Sequence, residues 1–94
     1  MKRAALVLVL LAGACAATPT PGREDLAAAL ENFNGMPVAP IALVHIGCQT
    51  ISGEPGVFAC RWRQQEGRYW QGWQSRLAHV GEHWRIVGQP SRRP

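Results

Sequence analysis

The sequence predicts an α+β domain in which one N-terminal helix packs on a four-stranded antiparallel meander. Three observations point to it. Leu26, Leu30 and Phe33 recur at the spacing of a helix face. After Pro37 the chain breaks into short runs of alternating apolar and polar residues separated by glycine-bearing turns. Two of those turns, chosen independently, bring the apolar positions onto one face of the same sheet.

The chain of 94 residues is long enough for one domain, and its first stretch stands apart from it. Lys2 and Arg3 form a positive end, Ala4 to Ala12 contain no polar side chain, and small residues follow at Gly13 and Ala14. This is the layout of an export signal over residues 1–14. The apolar run falls short of the roughly 20 residues that span a bilayer. Ala12-Gly13-Ala14-Cys15 resembles a bacterial lipobox, in which the leader is removed just before a cysteine whose sulfur carries diacylglycerol. The likeness departs at Ala12, where that class prefers Leu and this chain has Leu11 one place early. Ordinary signal-peptidase cleavage therefore stays open, since Ala12-x-Ala14 and Ala14-x-Ala16 both fit a small-x-small site. Ala16, rather than Asp, follows the cysteine, and in two-membrane bacteria the resemblance then implies an outer-membrane anchor facing the periplasm.

Three cysteines, at 15, 48 and 60, leave an exported chain with an odd thiol. Acylation of Cys15 would account for it and would leave Cys48 and Cys60 to join in an oxidising compartment. Charge changes with the leader as well. Of ten Lys and Arg residues, Lys2 and Arg3 lie in it, so eight arginines face six carboxylates, a net of +2. That balance is too small to indicate nucleic acid.

Residues 15–22, with two prolines and no bulky apolar side chain, read as a tether. Arg23 to Phe33 reads as the helix, with Glu24 and Asp25 at its positive end and Asn34-Gly35 as its stop. Strands are expected at Ile41–Gln49, Val57–Gln64, Tyr69–Val80 and His83–Val87. Glu66-Gly67 and Gly81-Glu82 are the expected hairpin turns, and Ile51–Gly56 a longer loop. This register sets Cys60 opposite Trp73, Phe58 opposite Ser75, His79 opposite Trp84 and Leu77 opposite Ile86. It collects Phe58, Cys60, Trp62, Tyr69, Trp73, Leu77, Trp84 and Ile86 on the helix side. Cys48, sharing a side with Val44 and Ile46, would reach Cys60 from the first strand. The domain spans residues 23–88, and residues 89–94 read as a disordered tail.

The opposite side of the sheet should carry Arg61, Arg63, Trp70, Arg76 and Arg85, with Arg63 facing Trp70 as a cation–π pair. Guanidinium groups beside an exposed indole suit phosphate or carboxylate, whether on lipid headgroups, lipopolysaccharide or an acidic envelope protein. The competing account is a solvated face that keeps the sheet soluble. His79 and His83 flank a turn with opposite parity, so a metal site is not expected, nor any cofactor. His45 stands alone, on the side away from Val44 and Ile46. Ser52, Ser75 and Ser91 lack a nucleophile context, and four of the six carboxylates sit at a helix start or in turns. The sequence therefore points away from an enzyme. It favours a membrane-anchored envelope lipoprotein that acts as a binding or structural accessory, with a secreted, lipid-free periplasmic binding or inhibitor module as the alternative.

Overall fold

The computed structural model describes residues 19–94. The expected leader, Cys15 and the first part of the tether lie outside the described residues. Helix α1, Arg23–Asn34, begins at Gly22, whose N–H donates to the Asp25 carboxylate at 2.8 Å. It ends where Gly35, at φ 75°, donates its N–H to the Glu31 carbonyl at 2.7 Å. The left-handed conformation there is one that glycine adopts without steric cost. Leu26, Ala27, Ala29 and Leu30 are buried, while Phe33, expected on the same stripe, is 44% exposed in the last turn. Pro21, at the end of the expected tether, is buried.

A single 3-10 turn at Pro40–Ala42 leads into β1, Leu43–Ile51, followed by β2, Glu54–Glu66, β3, Tyr69–Val80, and β4, His83–Ile86. These pair as the antiparallel meander β1-β2-β3-β4. Helix α1 packs chiefly against β4 and also touches β1, covering one side of the sheet. The architecture is the expected helix-on-meander α+β domain, and it includes a Cys48–Cys60 disulfide between directly paired residues of β1 and β2. Cross-linking a loop of this size restricts the unfolded chain by about 3 kcal/mol in the entropy model.

The register differs from expectation at the first tight turn. Glu66 pairs with Tyr69, so the turn is Gly67-Arg68 rather than Glu66-Gly67. Gly67 has φ 64°, and so does Gly81 at the start of the Gly81-Glu82 turn. A two-residue hairpin with positive φ at its first central position calls for Gly there, which Glu66 could not supply. Moving the turn by one residue moves each partner by two. Cys60 therefore faces Ser75 and Phe58 faces Leu77, while every inward residue stays inward. Trp62 and Trp73 become direct partners, and the expected pairs His79–Trp84 and Leu77–Ile86 are present. Tyr69 shares the inward parity but is 77% exposed, because the β2–β3 hairpin runs past the helix at that end.

β1 departs further. It starts and ends two residues later than expected, and its pairing breaks between Val44↔Arg63 and Gly47↔Arg61, where His45 and Ile46 oppose Trp62 alone. This is a β-bulge with His45 at φ 54°. Histidine is among the few residues that enter this region repeatedly. The extra residue reverses parity, so Leu43, not Val44, is the fully buried side chain of this strand. The expected loop at Ile51–Gly56 is instead a tight turn at Ser52-Gly53, with the extra residues Pro55, Gly56 and Val57 absorbed in a second irregularity of β2.

The expected disordered tail is also ordered. Ser91–Arg93 forms β5, pairing with β3 at Gly72–Gln74 on the edge that β4 leaves free. A vacant strand edge offers unpaired backbone groups, and a short segment satisfies them even when its side chains give no strand pattern.

Because the bulge decides which side chain is inside, Leu43→Ala should cost about 2–5 kcal/mol. Val44→Ala should cost about 1 kcal/mol or less, as read by urea unfolding. The reverse ranking would show that β1 pairs without the bulge.

Candidate functional site

The side of the sheet away from the helix is shaped by alternation along β2. Phe58, Cys60 and Trp62 are buried inward, which sends Ala59, Arg61 and Arg63 outward. Their partners on that face are Arg76, Gln74 and Gly72 of β3, with Gly47 and Gln49 on β1. The connector after β4 brings Gly88 alongside Arg76, held by the Val87 N–H donating to the Arg76 carbonyl and by the Ser75 hydroxyl donating to the Gly88 carbonyl.

The result is an open groove of about 610 Å³ across β1, β2, β3 and the β4–β5 connector. Its floor is made of residues with little or no side chain, Gly47, Ala59 and Gly88. Arg61, Arg76, Gln49, Gln74 and Ser91 stand around it.

Three of the arginines lie beside glycines. A Cβ on Gly47 would stand 3.8 Å from Arg61 Nε, and one on Gly88 would stand 3.4 Å from Arg76 Nε. One on Gly72 would stand 3.7 Å from an Arg63 terminal nitrogen. Each side chain thus lies within van der Waals reach of a glycine on a neighbouring segment.

The guanidinium groups differ in their engagements. Arg63 donates to the Trp70 backbone carbonyl at 2.8 Å. Arg76 lies 3.7 Å from the Glu54 carboxylate, with both side chains about half exposed, an ion pair of the kind worth little in water. Arg61 has no hydrogen-bond or ion-pair partner among the described residues.

Of the five expected site residues, the structure brings Arg61 and Arg76 together in the groove. Arg63 lies beside it on the same face, paired with Gly72 rather than Trp70. The expected Arg63–Trp70 cation–π pair is replaced by the bond to the Trp70 backbone, since the shifted turn sets Trp70 opposite Gln65 at the hairpin end. Arg85 pairs with Ala78 on β4, outside the groove lining. The cation–π contact lies on the helix side, where Arg92 of β5 stands 5.4 Å from the Trp73 ring centroid. Trp73 also donates from its indole N–H to Glu66 at 2.7 Å.

Sequence reasoning missed Gln49, Gln74, Ser91 and Glu54 as groove neighbours. The neutral residues carry no chemical signature of their own, and Glu54 sat in an expected loop. His79 stacks on Trp84 at 4.6 Å, and Trp84 meets Phe58 edge-on at 5.5 Å, so this histidine has a packing role. Among the described residues no three His, Cys, Asp or Glu side chains form a metal-sized cluster, and no helix is long and apolar enough to cross a membrane.

Set against protein-family models, curated proteins and solved structures, the chain finds no match in any of the three. The site therefore has to be read from its own chemistry.

Deleting Ser91–Pro94 removes β5, the Arg92 contact and one groove wall. Thermal melting should drop by roughly 5–10 °C, equivalent to about 1–2 kcal/mol, with a red shift in tryptophan emission as Trp73 loses its cover. An unchanged melt would mean that β5 is not held in solution.

Proposed function

We propose that the chain is the precursor of a small envelope lipoprotein, acylated at Cys15. On this reading it acts without catalysis, as a binding or structural accessory that meets anionic groups through the Arg61 and Arg76 face. The observation that carries it is the Cys48–Cys60 bond. With those two joined, Cys15 is the thiol left over, and it lies directly behind Ala12-Gly13-Ala14 and an apolar leader. A disulfide also suits an oxidising compartment and compensates for the modest core of a chain of this size.

Two acyl chains of palmitate type at Cys15 would give stable membrane attachment, which a single chain does not. Residues 16–22 would then act as the spacer, with Ala16 directing the anchor to the outer membrane. The open face, with two guanidinium groups over a small-residue floor, supports contact with lipid headgroups, lipopolysaccharide or an acidic envelope protein. Ala12, where a lipobox prefers Leu, favours a second reading in which the cleaved chain is released without lipid as a periplasmic binding module.

Intact mass of protein purified from a producing bacterium separates the two. A chain starting at Cys15 with a diacylglyceryl increment is expected, and Cys15→Ser should abolish both the increment and membrane fractionation. An unmodified chain beginning at Cys15 or Ala17 would establish secretion instead.

The face has its own test. In the mature chain carrying Cys15→Ser, the double variant Arg61→Glu with Arg76→Glu should reduce binding to anionic vesicles by 100-fold or more at low salt, at about 1 kcal/mol per charge near the surface. Unchanged sedimentation with vesicles would remove the face from the proposal.

A further inference from the structure

Seven large apolar side chains stand exposed among the described residues, and five of them gather at one end of the domain. Phe33 and Met36 lie at the close of α1, Ile41 in the connector to β1, and Tyr69 and Trp70 at the start of β3. Pairing and packing bring these segments together. Leu43, two residues after Ile41, pairs with Gln64, and the neighbouring Glu66 pairs with Tyr69. The connector and the hairpin end therefore flank the last residues of β2, about 10 Å apart across two strand spacings. Phe33 and Trp73 line one hollow with Gln64, which places the end of α1 beside them. Scattered exposed apolar residues need no explanation, but a cluster at one end does.

Charge is divided along the same axis. Arg63, Arg68, Arg92 and Arg93 all belong to this end, through the hairpin and through β5 paired at Gly72–Gln74. None of the four has an ion-pair partner among the described residues. Glu66 is the carboxylate among them, and it accepts the Trp73 indole N–H. Glu31 stands two residues before Phe33, about 200° round the helix from it. The other four carboxylates lie away from this end. Glu24 and Asp25 open the helix that finishes here, Glu54 begins β2, and Glu82 sits in the β3–β4 turn.

The form of this end suits a surface rather than an enclosed ligand. Its hollow, about 220 Å³, is smaller than the roughly 300–1,000 Å³ of a small-molecule site. Ile41, Tyr69 and Trp70 lie outside the hollow's lining, the first two 78% and 77% exposed. Tyrosine and tryptophan combine an apolar ring with a polar group, which matches the headgroup layer of a bilayer. Arginine lays its apolar stem along such a layer while its charge meets lipid phosphate.

We propose that this end is a membrane-inserting tip, in which Ile41, Tyr69 and Trp70 enter the headgroup region of an anionic bilayer and the arginines behind them meet its phosphates. Neither acylation of Cys15 nor the groove at Arg61 and Arg76 is needed for this contact.

The test uses residues 15–94 carrying Cys15→Ser, with vesicles of phosphatidylglycerol and phosphatidylcholine in equal parts and with phosphatidylcholine alone. The anionic vesicles should bind at least about ten-fold more tightly. Lipid brominated on its acyl chains should quench tryptophan emission, and Trp70→Phe should remove most of that quenching. Ile41→Ser with Tyr69→Ser, both exposed in the free chain, should weaken binding about ten-fold or more at an unchanged melting temperature. Arg68→Gln should weaken it about five-fold at low salt, and by less at high salt.

Binding without quenching of Trp70, or full affinity in the Ile41→Ser, Tyr69→Ser pair, would overturn the tip. So would a dimer in sedimentation before lipid is added that the same pair abolishes, since the end would then be covered by a second copy. Arg61→Glu with Arg76→Glu separates the two surfaces. If that variant alone loses the vesicles, the groove reading stands and the tip falls. If the tip variants alone lose them, the tip stands and the groove reading falls. A chain that binds no anionic vesicle removes both.

Discussion

A strand cannot turn one side chain inward without turning its neighbour outward, and this constraint on β2 organises the molecule. Phe58, Cys60 and Trp62 are buried beneath the helix, so Ala59, Arg61 and Arg63 have to face the other way. Core and candidate site are thus two sides of one run of six residues. β2 is also the strand shared by both long pairings, with β1 on one edge and β3 on the other. A slip of one residue would bury arginine and expose tryptophan, a double penalty that keeps the register unique.

The disulfide acts on the same strand. Cys60 lies between Phe58 and Trp62 on the inward side, and its partner Cys48 belongs to the edge strand β1. A small domain buries a modest share of its surface, and an edge strand with a bulge is its weakest element. Joining β1 covalently at the centre of its regular segment lets the bulge exist three residues away without loss of pairing. The bulge in turn supplies Leu43 to the core and leaves Gly47 facing outward, opposite Arg61. The groove therefore inherits its floor from an irregularity on the other side of the domain's covalent link.

The groove also illustrates what small residues do on a sheet. Arg61, Arg63 and Arg76 lie beside Gly47, Gly72 and Gly88, and Arg61 and Arg76 line an open hollow on this face.

By itself the sequence determined the helix, the number and order of the meander strands, the pairing of Cys48 with Cys60, and which residues of β2, β3 and β4 point inward. These follow from periodicities of 3.6 and 2 and from glycine turns, which act between residues close along the chain. Even the misplaced first turn was legible in principle, since Gly67 and Gly81 both take the first central position and the latter was read correctly. Tertiary structure alone decided the rest. The bulge at His45 exists because β1 must present both Leu43 and Cys48 to the same core, a demand invisible within β1. The strand at Ser91–Arg93 exists because β4 is too short to cover β3, and the groove exists because Gly47, Ala59 and Gly88, distant in the chain, share one side of the sheet with Arg61 and Arg76. Each depends on what lies across the sheet rather than along the chain, and no local pattern records that.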